Sequence, residues 1–146
     1  MAAKKEAKNA TPATGAIIAV RVRGHAQTRA EVEETLAQLG LSRKNHCVIV
    51  PNTPQNAGMV AKAKDFIAYG PADEQTVKSL VAKTPALAQK VADLVSGKTS
   101  VSKEGAKRVF RLKPPRKGFG QIKQAYPIGG IGNWGKDISK LVQLML

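Results

Sequence analysis

The sequence predicts an α+β fold: a compact βαβαβ core around a small sheet, a helical hairpin inserted after it, and a basic C-terminal loop-helix extension. Three observations predict it. Between residues 16 and 70, short runs with a two-residue apolar alternation are separated by stripes of helical period. Residues 71–97 carry two consecutive helical stripes with no strand between them. From residue 98 the chain turns strongly basic, and Pro and Gly interrupt both periods until one last helical stripe.

Residues 1–15 are polar and rich in Ala and Lys, the composition of a disordered basic tail. Ala16–Arg23 is expected as a strand. Ile18, Val20 and Val22 enter a core, and Arg21 and Arg23 on the other face point to solvent or a ligand. A helix starts at Gln27 or Thr28 and runs to Leu39, with Val32, Leu36 and Leu39 as its stripe. Glu31, Glu33 and Glu34 occupy its early turns, where the helix dipole favours anions, and read as a solvated face. Gly40 is the expected left-handed stop. Asn45–Val50 is a second strand, which makes a βαβ or split-βαβ unit. His46 and Cys47 are adjacent on it and therefore face opposite ways.

A short helix over about Gln55–Lys64 places Met59, Val60 and Ala63 inward, and Asp65–Gly70 is the third strand. Asp73 caps a helix reaching Lys83, with Val77, Leu80 and Val81 on one side. Thr84-Pro85 opens another, striped by Leu87, Val91, Leu94 and Val95 and ended by Gly97. These two stripes, residues 71–97, are too short to bury a core alone and form a hairpin on the main one. Residues 98–146 are the extension: a polar linker over 98–106, a short edge strand over Arg108–Lys113, a Gly/Pro-rich loop, and a helix from Lys136 to Met145. That helix carries Ile138, Leu141, Val142 and Met145 at i, i+3, i+4 and i+7.

Charge decides the functional class. The 146 residues carry 24 Lys and Arg against 10 Asp and Glu, a net +14, which produces a field that attracts phosphate. The last third, residues 98–146, holds eleven bases and two acids and so supplies most of it. No apolar run approaches the ~20 residues of a membrane span, and the first residues have no apolar stretch of signal type, so a cytoplasmic protein is expected. The one cysteine, Cys47, excludes an internal disulfide and fits a reducing compartment.

Some chemistry is present in letter only. Gly130-Ile131-Gly132-Asn133-Trp134-Gly135 spells G-x-G-x-x-G, but Tyr126–Gly129 before it is a poor strand and no acidic ribose partner follows. Its glycines are expected to turn the backbone tightly or to approach phosphates. Two His, one Cys and scattered acids lack metal-ligand spacing, and no nucleophile is paired with a base. Neither an enzyme, a cofactor, a metal nor a small-molecule substrate is therefore expected.

The phosphate-binding signal is concentrated in residues 107–134: seven Lys or Arg, no acid, three Pro and four of the six aromatics. Arg forks two hydrogen bonds to a phosphate and Lys supplies a point charge. The expected RNA-binding residues are Arg21, Arg23, Lys107, Arg108, Arg111, Lys113, Arg116, Lys117, Gly118, Phe119 and Lys123. Phe119 is open to base stacking or to packing; Tyr126 is expected to pack, and Trp134 to anchor the last helix. The same charge would also serve a chromosomal DNA-coating protein or a regulatory RNA binder.

Three stretches carry a family resemblance. They are the first strand and acidic helix through Asn45-His46-Cys47, then Gly58–Phe66 (GMVAKAKDF), and Arg111–Phe119 (RLKPPRKGF) with Gly129-Gly130 and the closing helix. Together they resemble the universal large-subunit ribosomal protein thirty family, archaeal type, whose eukaryotic relatives are called ribosomal protein L-seven. Lys117 stands where the family pattern has the first Gly of a pair. The resemblance implies a ferredoxin-like-related core and a structural role in the large ribosomal subunit. The implied partners are large-subunit rRNA, with 5S rRNA nearby, and neighbouring large-subunit proteins.

Overall fold

A computed structural model of the chain describes residues 15–98 and 109–146. The expected tail apart from Gly15 and most of the polar linker lie outside the described residues, as do Lys107 and Arg108. The first strand, β1 (Ala16–Arg21), is followed by α1 (Ala30–Leu39), β2 (His46–Pro51), α2 (Pro54–Lys62) and β3 (Ile67–Pro71). β1 pairs antiparallel with both β2 and β3, with Val20 opposite Cys47 on one side and Ala68 on the other. β2 and β3 therefore run the same way with β1 between them, which makes β2-α2-β3 a split βαβ unit. The α+β class and its βαβαβ core are as the periodicities predict.

The first strand corrects one expectation. β1 is buried along its whole length, so neither face meets solvent. Ile17 and Ala19 enter a core with Leu36 and Leu39 of α1 and Val60 of α2. Ile18 and Val20 enter a second core on the opposite side. That side is closed by α3 (Glu74–Val81), a 3-10 turn (Pro85–Lys90), α4 (Val91–Val95) and α5 (Ile138–Met145). Val77, Leu80, Leu87, Leu94, Ile138, Leu141, Val142 and Met145 supply its apolar side chains. The molecule is thus a sheet between two helical layers, with alternate residues of each central strand feeding opposite cores.

Local signals explain the boundaries. Gly40 ends α1 at φ +86°, a left-handed conformation that glycine adopts without strain, and its N–H bonds the Ala37 carbonyl. Thr53 caps α2 by accepting from the Asn56 N–H, with Pro54 at the first helical position. Asp73 holds the N-cap position of α3 but its side chain makes no cap bond.

A second correction concerns the loop. β4 (Val109–Arg111) is an edge strand on β2, but residues 121–133, expected as loop, form β5 (Gln121–Ala125) and β6 (Gly129–Asn133). The six strands lie in the order β4-β2-β1-β3-β6-β5. β6 runs parallel to β3, with Ala68 opposite Gly132 and Tyr69 opposite Asn133. A strand of sequence GGIGN forms because the approach is too close for side chains. A Cβ on Gly129 would lie 1.9 Å from the Gln124 oxygen, and one on Gly130 2.6 Å from the Phe119 oxygen. Of the dinucleotide-like glycines, Gly130 thus serves packing of the chain on itself, while Gly132 and Gly135 take positive φ, +89° and +54°.

Candidate nucleic-acid interface

The basic stretch begins on β4. Phe110 and Leu112 turn into the second core, and Arg111 between them and Lys113 after them are exposed. The Lys113 N–H donates to the Met145 carbonyl at 3.0 Å, which ties the strand's exit to the end of α5. Pro115 is buried, and Gly118, at φ +71°, donates its N–H to the Pro115 carbonyl at 3.0 Å. That bond closes a four-residue turn whose two corner positions are Arg116 and Lys117, both exposed. A groove of about 360 Å³ runs beside it, lined by Lys113, Pro114, Arg116, the α5 residues Gln143 to Met145 and the terminal Leu146. The turn is therefore a basic corner anchored at both ends. Such preordering reduces the entropy lost when a polyanion binds.

Past the turn, Phe119 is half-buried against the second core, with its Cβ and carbonyl oxygen pressed on Gly130. It props up the turn; packing, the alternative left open by the sequence, is what the structure shows. Lys123 is exposed on β5, at the far edge of the sheet from Arg111. Tyr126 and Trp134 stack on each other, ring centres 4.6 Å apart and 31° tilted. The Tyr126 hydroxyl donates to Asp137, and Trp134 Nε1 donates to the Gly130 carbonyl at 3.0 Å. The Tyr126 bond, followed by that from Lys140, holds the Asp137 carboxyl below its usual range. Both rings thus fix the entrance to α5.

The two arginines of the first strand separate. Arg21 is fully buried, which overturns its placement on an outward face. Its Nη1 donates to the Leu41 carbonyl at 2.7 Å, its Nε to the Arg23 carbonyl at 2.8 Å, and its Nη2 to Glu33 Oε2 at 3.0 Å. A charge so deep needs these partners. The guanidinium is committed internally and drops out of the interface. Glu33 is correspondingly not a merely solvated acid: the Arg21 hydrogen bond draws its pKa down, and His25 Nδ1 also sits 2.6 Å from Oε1. Arg23 is half-exposed, lies over the Phe66 ring at 4.8 Å and donates to the Asp65 carbonyl at 3.4 Å. Sequence reasoning passed over Arg43 and Lys44, two exposed bases in the turn between α1 and β2. The signal was available: Ser42-Arg43-Lys44-Asn45 joins a helix to a strand with no acid in it.

Among the described residues no group of His, Cys, Asp and Glu is arranged to hold a metal, and no helix is long and apolar enough to cross a membrane.

A sheet held between two helical layers, with an anchored basic corner at its edge, defines a class: small basic α+β proteins. The comparisons make the class particular. A family model described as ribosomal protein L30p/L7e matches residues 17–67. The chain is 35% identical to the large ribosomal subunit protein uL30 of Archaeoglobus fulgidus, over 86% of this chain and 97% of the relative. It is 37% identical to that of Methanoculleus marisnigri, over 86% and 97%, and 34% identical to that of Methanococcus vannielii, over 87% and 97%. The chain belongs to the L30p/L7e family of ribosomal proteins, as its three motif stretches led one to expect.

Proposed function

We infer that the chain is a structural constituent of the large ribosomal subunit, where it binds and stabilises rRNA through phosphate contacts from its basic C-terminal corner. One observation carries the reading: the Pro115–Gly118 turn projects Arg116 and Lys117 beside exposed Arg111 and Lys113, from a stretch without a single acid. Lys123, Gly118, Arg23 and the flanking Lys107 and Arg108 are assigned to the same role. The protein acts without a catalytic step, in the cytoplasmic ribosome, with large-subunit rRNA as main partner, 5S rRNA nearby and neighbouring large-subunit proteins around it. RNA shape rather than base sequence is what such contacts read.

Sedimentation of a lysate through a gradient tests this. The chain is expected with large subunits; co-migration with chromosomal DNA would replace this reading by a DNA-coating one. Replacing Arg111, Lys113, Arg116 and Lys117 together by Ala is expected to leave the fold intact and to deplete the variant from large subunits. Undiminished incorporation would remove the corner from the interface.

A further inference from the structure

A second group of cations gathers where the sheet's strands end. Register places it. His46 at the start of β2 lies opposite Arg111 on β4, the Asn45 N–H donates to the Arg21 carbonyl at the end of β1, and the Leu112 N–H donates to the Asn45 carbonyl. Three adjacent strands, β4, β2 and β1, therefore finish at one end, within about 10 Å across the sheet. Each brings exposed or half-exposed cations there: Arg111 from β4, Arg43 and Lys44 from the turn into β2, and Arg23 from the exit of β1.

The side chains are held as well as gathered. Lys44 lies across Gly24, its Cε 3.0 Å from where a Cβ on that glycine would sit. Arg23 is flattened on Phe66. Asn45 takes φ +62°, a tight turn that leaves Ser42, Arg43 and Lys44 exposed. The half-buried His46 imidazole shares this end; burial, then the charges of Arg111, Arg43 and Arg21, keeps its pKa below the ordinary value. The acids close by are partly engaged: Glu33 by Arg21 and His25, Glu31 at 3.9 Å from Lys62, with Asp65 exposed.

We propose that Arg43 and Lys44, with Arg23 and Arg111, form a second phosphate-binding patch on the strand ends, which takes the sugar-phosphate backbone of folded RNA and continues the surface begun by the Arg116-Lys117 corner. The proposal rests on the rRNA-binding reading above. Arg111 belongs to both surfaces and joins them along β4. Two patches carried on one rigid sheet fix the orientation of the protein on RNA, which a single mobile basic loop does not do.

The test compares four full-length proteins: wild type, Arg43→Ala/Lys44→Ala, Arg116→Ala/Lys117→Ala, and Lys98→Ala/Lys136→Ala. The last pair removes equal charge from the opposite end of the sheet, where Gly97 lies against Gly15 and Gly135 against Gly70. Binding to a large-subunit rRNA transcript is measured against salt, hydroxyl-radical footprints are mapped, and urea midpoints check the fold. For Arg43→Ala/Lys44→Ala we expect about a tenfold loss of affinity at physiological salt and a salt slope lower by about 1–2. It should lose a protected RNA segment that Arg116→Ala/Lys117→Ala retains. The opposite-end control should keep every protection. Arg43→Ala/Lys44→Ala binding with wild-type affinity and footprint, while Arg116→Ala/Lys117→Ala is weakened, would overturn the patch and leave the rRNA reading standing. Failure of the wild type to protect any rRNA segment would overturn that reading and the patch with it.

Discussion

At the scale of single residues, the Arg21–Glu33 pair shows how a charge can be read correctly as a type and wrongly as a place. Alternation along AIIAVRVR assigns Arg21 to an outer face, but both faces of a central strand are inner ones. The guanidinium then requires a carboxylate and two carbonyls. Folding draws the Glu33 pKa down, so its contribution is fully present above the unfolded value of about 4.3 and is lost as pH falls through the lower folded value. Glu33→Gln is therefore expected to cost about 1–3 kcal/mol at pH 7. The gap to wild type, read from urea midpoints, should narrow at pH 3; a gap independent of pH would contradict the pairing. Cys47 gives a second test. Burial pushes its thiol up to about 12. Iodoacetamide at pH 8 should label the native protein at least about a hundredfold more slowly than the urea-unfolded chain.

At the scale of elements, β6 depends on its glycines. Gly129→Ala puts a methyl group 1.9 Å from the Gln124 oxygen, where the backbone itself must move. We expect a loss of more than about 2 kcal/mol, with faster amide exchange over residues 121–133. Gly118→Ala meets no neighbour within 4 Å, and only its positive φ is strained, so it should cost about 1–2 kcal/mol and leave exchange at β6 unchanged. The same contrast marks what the sequence could reveal. Helices α1, α3 and α5 were legible because their stripes meet a core at helical period. β4 was legible because Val109, Arg111 and Lys113 alternate with Phe110 and Leu112. β5 and β6 were not, because QIKQA and GGIGN carry almost no β-branched pattern; β6 is a strand because β3 offers it an edge, and β5 because β6 in turn does. The corner was legible as chemistry, through Pro114-Pro115-Arg116-Lys117, but its anchoring by the Met145 carbonyl was not, since that contact spans thirty-two residues of chain.

At the scale of the molecule, the closing helix holds the second core and the basic corner at once. Leu141 is 2% exposed, and Leu141→Ala should cost about 2–5 kcal/mol in urea unfolding. The variant should also weaken rRNA binding near its midpoint, as the support of the corner loosens. The two cores differ in a way that governs how the chain reaches its native state. Every buried member of the α1/α2 core falls between Ile17 and Tyr69, whereas the other draws on residues from Ala16 to Met145. The first half can thus condense while its reverse side still lacks a cover. Until α3, α4 and the last helix dock, Ile18, Val20, Cys47, Ile49 and Ala68 form a bare sticky sheet, so a chain stalled at that stage is a target for chaperones and a seed for aggregation.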